Sequence, residues 1–358
     1  MLIRSKTFWK HFSRKLVMRT NVTLKTIAQI TGYSITTVSR ALAGYDDVAE
    51  STRQKIVQTA EQLSYYPNIT ARQLQKQRSD TIGLILPVHG SRYTDPYFNT
   101  IIAGIGDQLA EYGLDLLLST HPPGGSDEMA AYRRIVEGRI VDGLIVIRTR
   151  KHDERIVYLD KNSFPFVSFG RSDLDIDFPY IDEDGEAGFY QLTQHLISLG
   201  HTKIACVSAP EDLMFAQYRL NGYCKALEEA GIPCVDEWIV YGDLSRKGGE
   251  RAASQLLNKS VLPTAIIAAN DLMAIGTITV AKERGLVVGR DISVAGFDDI
   301  ANSELFSLTT LQQPIYQIGR QLTEMLFRLV NQLPIENPKL LLKPKLIIRE
   351  STQPPISG

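Results

Sequence analysis

The sequence predicts a small all-α head that reads as a helix-turn-helix, followed by a larger α/β body built on parallel sheets. Between Thr23 and Ser64 apolar residues recur at helical spacing in three short runs punctuated by glycine. From Thr81 onward short apolar runs alternate with longer amphipathic stretches, the texture of strands covered on both faces by helices. Charge divides the chain in the same way. The formal net charge of −1 over 358 residues is +8 through Asp80 and −9 thereafter. A basic head on an acidic body is how a nucleic-acid module attached to a soluble core looks, although a charge run alone is more often a solvated face.

Composition bounds the rest. With 44% hydrophobic and 22% charged residues the chain can bury one or more cores, and its length suits two or three domains at roughly 100–200 residues each. Cys206, Cys224 and Cys234 cannot all pair and form no C-x-x-C, which argues against a disulfide scaffold and for the cytoplasm. The sequence has no apolar stretch long enough to span a membrane, and the basic N-terminus lacks the apolar centre of a signal peptide.

Residues 1–21 hold Arg4, Lys6, Lys10, Arg14, Lys15 and Arg19 without an acid and read as a tail; Met18 is an alternative translation start. Thr23 caps a first helix with Leu24, Ile27 and Ala28 inward, ending near Gly32. Ser34 caps a second, with Val38, Ala41 and Leu42 inward, and Gly44 stops it. A third, about Ser51 to Ser64, buries Ile56, Val57, Ala60 and Leu63 before Pro67. The stretch from Gln62 to Ser79 gains Arg72, Lys76 and Arg78 and reads on composition alone as a linker.

In the body the strand candidates are Ile82–Leu86, Leu114–Leu118, Gly143–Ile147, Phe166–Phe169, Ile204–Ser208, Ile239–Tyr241, Ala265–Ala268 and Ile292–Gly296. Helical stretches include Tyr97–Glu111, Ala187–Leu199, Tyr218–Glu229, Lys247–Leu257 and Leu272–Glu283. Such βα units suit either one eight-fold barrel or two doubly wound lobes, and periodicity does not choose between them.

This architecture hosts many enzymes, yet the sequence carries no catalytic constellation. The histidines show no metal spacing, and no nucleophile elbow or P-loop is present. Gly104 and Gly106 begin a partial G-x-G-x-x-G, but Leu109 takes the third position and the stretch is helical. The acids of Asp182-Glu183-Asp184 and Asp298-Asp299 read as solvated or capping groups. No cofactor or metal is expected, and the chain is not read as an enzyme.

The segment Thr23-Leu-Lys-Thr-Ile-Ala-Gln-Ile-Thr-Gly-Tyr-Ser-Ile-Thr-Thr-Val-Ser-Arg-Ala-Leu42 resembles the N-terminal signature of the lactose-repressor (LacI/GalR) family of bacterial transcription regulators. Further blocks follow in order: Val48–Arg53, Leu63–Asn68, Ala71–Leu74, Thr81–Leu84, Leu199–Ile204, Ala269–Gly276 and Ile292–Asp299. The resemblance implies a helix-turn-helix DNA-binding domain over 22–66, a hinge helix and linker over 67–80, and a two-lobed, periplasmic-binding-protein-like core of doubly wound parallel sheets over 81–350, with 351–358 a C-terminal tail. It implies three crossings between lobes, placed near Asp182–Asp184, Leu311–Pro314 and Leu333–Pro338. It also implies a cytoplasmic homodimer on double-stranded operator DNA, acting as a repressor under a small-molecule effector, a sugar in the first reading and a purine or nucleoside in the second.

The resemblance assigns DNA contacts to Thr23, Ser34, Ile35, Thr36, Thr37, Ser39, Arg40, Tyr65, Asn68 and Leu74. Ile35 and Thr36 would meet base edges and Arg40 a guanine, Thr23, Ser34, Thr37, Tyr65 and Asn68 would hold phosphates, and Leu74 would wedge the minor groove. Ala43 and Ala49 depart from the family, where Asn and a capping Ser are common. Effector contacts fall on Tyr97, Phe98, Arg171, Phe215, Arg219, Asn270, Asp271 and Asp298, a set of charged, amide and aromatic groups suited to sugar hydroxyls and the apolar face of a ring. Two further readings, a transporter's solute receptor and an enzyme working in the cleft, lack a signal peptide and a catalytic constellation respectively.

Overall fold

Among the described residues three short helices make the head: α1 (Leu24–Thr31), α2 (Ile35–Leu42) and α3 (Glu50–Gln62). The computed structural model describes residues 22–65, 78–87 and 96–356. Thr23 and Thr26 close a reciprocal capping box on α1, and Gly32, at φ +78°, ends it. Ser34 Oγ accepts from the Thr37 N–H at 3.0 Å and starts α2. Ile27, Val38 and Ile56 are fully buried where the three helices meet, with Ala28, Ala41 and Ala60 between them. Ala49 gives α3 no side-chain cap, which leaves Glu50 alone to favour its first turn.

The body is two lobes with a parallel sheet each. The six strands of the first run in the spatial order β11 (Lys339–Leu342), β5 (Tyr180–Glu183), β4 (Phe166–Phe169), β3 (Gly143–Ile147), β1 (Thr81–Pro87) and β2 (Asp115–His121). Every residue of β3, Gly-Leu-Ile-Val-Ile, is buried, because helices lie on both faces. One face packs on α4 (Pro96–Tyr112) and α12 (Ile315–Val330), the other on α5 (Ser126–Glu137) and α6 (Glu154–Lys161). Gly104, met in the sequence as part of an incomplete phosphate-binding pattern, serves helix packing instead. A Cβ there would strike the Tyr316 carbonyl, and one at Gly319 the Ile101 carbonyl, so α4 and α12 approach backbone to backbone.

The second lobe orders its strands β7 (Ile239–Tyr241), β6 (Ile204–Ser208), β8 (Ala265–Ala268) and β9 (Ser293–Ala295), all parallel. Helices α7 (Gly185–Ser198), α8 (Met214–Glu229), α9 (Arg246–Leu256) and α10 (Asp271–Glu283) enclose it, and α11 (Asn302–Leu305) follows β9. Cys224 on α8 and Cys234 beyond it are joined as a disulfide with Cα atoms 5.2 Å apart, while Cys206 is free and buried in β6. The bond closes a local loop and is no scaffold.

The chain passes between lobes after β5, after β10 (Thr310–Gln312) and between β11 and β12 (Lys345–Ile347). The third passage therefore lies at Lys343–Pro344 and not near Leu333–Pro338. The reason is β11, which pairs with β5 in the first lobe before the chain returns to pair β12 antiparallel with β10. The end of the chain also differs from a tail past Glu350. Ser351 and Thr352 are buried, and the Val294 N–H donates to the Ser351 carbonyl at 2.9 Å. No described helix is long and apolar enough to cross a membrane.

Candidate functional site

On the head, α2 turns Val38 and Ala41 inward, which leaves Ile35, Thr36 and Arg40 exposed on the opposite side. Ile35 retains 49% of its surface in solvent and so is open to a partner beside Thr36. The hydroxyls of Ser34 and Thr37 lie 2.8 Å apart, and Thr23 is engaged with Thr26, so capping fixes four hydroxyl-bearing residues at the helix starts. Ser39 and Tyr65 are half-buried, and burial raises the Tyr65 phenol above its ordinary range. Arg40 is held by Asp47, with Nη2 2.5 Å from Oδ2 and Nε 3.2 Å from Oδ1. Asn68 and Leu74 lie outside the described residues.

The second site is a narrow cleft between the lobes that encloses only about 50 Å³. Parallel strands explain its position, since loops leaving the carboxyl ends of both sheets converge there. The first lobe supplies Arg148 and Thr149 after β3, Phe169 and Gly170 from the end of β4, Asp182 and Glu183 from β5, and Tyr97 and Phe98 from α4. The second supplies Phe215 and Arg219 from α8, Leu244 after β7, Asn270 after β8 and Asp298 after β9. Across the rim, the Met214 N–H donates to the Thr149 carbonyl and the Lys151 N–H to the Asp212 carbonyl, both at 3.0 Å.

Arg219 is the most constrained group in the cleft. Its Nη2 donates to Glu183 Oε1 at 2.6 Å, its Nη1 donates to the Ala269 carbonyl, and its guanidinium carbon lies 3.7 Å from the Phe297 ring centroid and 4.5 Å from that of Phe215. Its Nε is buried without a partner. The ion pair of Arg219 thus runs to Glu183, across the cleft. Asp298 instead accepts from Gln313 Nε2 at 2.8 Å, and its backbone sits at φ +121°, a strained conformation for a residue with a Cβ. Asn270 caps α10 through Met273 N–H and donates to the Leu244 carbonyl at 3.1 Å.

Six of the eight expected effector residues therefore meet in the cleft: Tyr97, Phe98, Phe215, Arg219, Asn270 and Asp298. Two do not line it. Asp271 is fully buried beneath the site, where its carboxylate accepts from the Ser303 and Thr310 hydroxyls and the Ile300 N–H, pinning the loop after β9. Burial pushes its pKa up to about 6. Arg171 points to the far side of Asp182, donating Nε to it at 2.7 Å and lying 3.9 Å from the Tyr218 ring centroid. Asp182 and Glu183, read from sequence as solvated or capping acids, are both buried in the cleft wall; only Asp184 caps a helix, α7. Burial, with the adjacent Glu183 charge, pushes Asp182 up to about 8 against the opposing pull of Arg171. Burial also holds the Tyr97 phenol well above its ordinary range, with Glu183 and Asp298 adding to the effect.

A helix-turn-helix head and a two-lobed core whose cleft collects cations, acids, an amide and aromatic rings define the class of ligand-responsive DNA-binding regulators. Comparison makes the class specific. Residues 23–68 match the family of "bacterial regulatory proteins, lacI family", and residues 79–349 match "periplasmic binding proteins and sugar binding domain of LacI family". The chain belongs to the LacI family. It is 32% identical over 340 residues to the HTH-type transcriptional regulator AglR of Rhizobium meliloti, covering 93% of this chain and 95% of that one. Among solved structures it resembles a lac repressor dimer bound to operator and the anti-inducer ONPF, with a TM-score of 0.81, 30% identity and coverage of 93% of this chain and 99% of that one. A CelR–cellobiose complex matches with a TM-score of 0.71 and 30% identity over 92% of this chain and 99% of that one.

Proposed function

We propose that this chain is a cytoplasmic repressor that binds operator DNA as a homodimer and is controlled by a small sugar held between its lobes. The observation that carries the reading is the cleft itself, in which Arg219, Asn270 and Asp298 from one lobe face Glu183 and the aromatic side chains of Tyr97 and Phe98 from the other. Guanidinium, amide and carboxylate groups match sugar hydroxyls, while the rings match the apolar face of the ring. The cellobiose bound to the CelR relative supports the same class of ligand.

In this reading Ile35, Thr36 and Arg40 read base edges, while Thr23, Ser34, Thr37, Ser39 and Tyr65 set register on the backbone. Asn68 and Leu74 belong to the hinge that enters the minor groove. A purine or nucleoside is the second reading, supported by the stacked rings of Tyr97 and Phe169, 6.3 Å apart and 11° from parallel.

A thermal-shift screen of the full chain against mono- and disaccharides and nucleosides, followed by operator titration with each hit, tests the proposal. A sugar that raises the melting temperature and weakens operator binding is the expected result. Stabilisation by nucleosides alone would select the second reading, and turnover of the bound sugar would overturn the regulatory one.

A further inference from the structure

Arg40 is held in a particular way. Asp47 takes the Nε–Nη2 side of the guanidinium, at 3.2 and 2.5 Å, which leaves Nη1 and the second N–H of Nη2, the end edge, outside the pair. The Tyr45 ring centroid lies 5.0 Å from the guanidinium carbon. Both partners sit on the loop that leaves α2, and that loop is itself fixed. The Tyr45 N–H donates to the Arg40 carbonyl at 3.1 Å, the Tyr45 carbonyl accepts from Arg53 Nη2 at 2.8 Å, and Val48 is buried in the head core.

We propose that Asp47 is a specificity-determining positioning residue for DNA recognition, holding Arg40 so that the Nη1–Nη2 end of its guanidinium meets a guanine edge and backbone phosphates are disfavoured. The inference rests on the reading of Arg40 as a base-contacting residue and goes beyond it. Guanine offers two neighbouring acceptors, O6 and N7, which one edge of a guanidinium satisfies with two parallel hydrogen bonds. A free arginine offers two such edges, in many rotamers, to a base or to a phosphate. With Asp47 in place the side edge is filled and the rotamer is set. The carboxylate also supplies discrimination by charge, because it repels an anionic phosphate while an uncharged base edge escapes that penalty. The pair contributes little to the fold, since the Arg40 and Asp47 side chains are 46% and 52% exposed, so its loss leaves the head intact.

The test uses full-length protein and an operator obtained by selection from random duplexes. Affinities are measured for that operator, for each single base-pair variant and for a non-specific duplex, with wild type, Arg40→Ala, Asp47→Ala and Asp47→Glu. Arg40→Ala is expected to lose preference at one base pair per half-site, by about five- to 150-fold. Asp47→Ala is expected to lose roughly two- to fivefold at that same pair and to bind the non-specific duplex more tightly, with a steeper salt dependence. Asp47→Glu, which retains the carboxylate, is expected to recover part of the preference. Equal melting temperatures of wild type and Asp47→Ala exclude a folding defect. If Arg40→Ala loses its preference but Asp47→Ala keeps it, or loses affinity evenly across all positions, the role of Asp47 is overturned while Arg40 stands. If Arg40→Ala keeps full preference, both assignments fail.

Discussion

Arg219 on α8 of the second lobe donates to Glu183 on β5 of the first at 2.6 Å, so a buried ion pair spans the cleft in which a ligand would sit. Both side chains are less than one-tenth exposed, and the guanidinium also lies against Phe297 and Phe215. Truncating one member leaves the other charge buried and unpaired, a larger loss than replacing both with apolar groups. Glu183→Ala is expected to lower unfolding stability by roughly 3–5 kcal/mol, and Glu183→Ala combined with Arg219→Met to recover most of that loss. Urea unfolding of the two variants measures the difference. Equal losses in the single and double variants would mean that the pair does not hold the lobes together.

Asp182 provides a pH test with a definite sign. Its folded pKa is about 8, against 3.8 for the ordinary side chain, because burial and the neighbouring Glu183 disfavour the charged form. Between those values the folded protein binds more protons than the unfolded chain, so this group's contribution is fully present below the lower pKa and is lost as pH rises towards 8. Asp182→Asn, which cannot ionise, should remove that loss. Its melting temperature is expected to exceed wild type at pH 8.5, and the lead to shrink steadily as pH falls towards 4. Parallel stability–pH curves for the two proteins would show that Asp182 ionises normally.

Asp271 is expected to behave as a structural acid. Its carboxylate accepts three hydrogen bonds, at 2.6, 2.6 and 3.1 Å, from Thr310, Ser303 and the Ile300 backbone. Asp271→Ala leaves all three donors buried, at a cost of about 1–3 kcal/mol for each that finds no substitute. Thermal unfolding should therefore register a large destabilisation. A variant as stable as wild type but with no affinity for the effector would return Asp271 to the ligand-binding set.

Strands such as Gly143–Ile147 and Ala265–Ala268 were readable because burial on both faces makes them apolar throughout. Strand β5 was not, because Tyr-Ile-Asp-Glu ends on two acids that are buried against arginines outside the strand, Arg171 in the loop before it and Arg219 from the other lobe. For the same reason Glu183 reads in sequence as a solvated or capping acid although it lines the cleft. Neighbours in sequence misled at Asn270-Asp271, where the first residue lines the cleft and the second points beneath it. The capped helices of the head depend on local chemistry alone, and Thr23, Gly32 and Ser34 announced them.

Asp298 joins the cleft to a crossing between lobes. Its Oδ1 accepts from Gln313, which lies on the second crossing, so a ligand that hydrogen-bonds this carboxylate would compete with that contact. An effector shifts operator affinity only by its differential affinity for the two lobe arrangements, typically about 1–3 kcal/mol. Removing the carboxylate should abolish that difference and leave the head, a separate compact unit, able to bind DNA. Alanine is a poor probe here, because at φ +121° a Cβ is strained, and its effect would mix strain with lost recognition. Asp298→Gly removes the carboxylate and the strain together, and Asp298→Asn retains the shape with one acceptor oxygen. Both variants are expected to bind operator as wild type does. Asp298→Gly should hold it at effector concentrations about a hundredfold above those that release wild type, with Asp298→Asn intermediate, as expected when a coupling of up to 3 kcal/mol is lost. Operator titrations with and without the sugar decide the question, since release of Asp298→Gly at the wild-type sugar concentration would remove this carboxylate from the binding site.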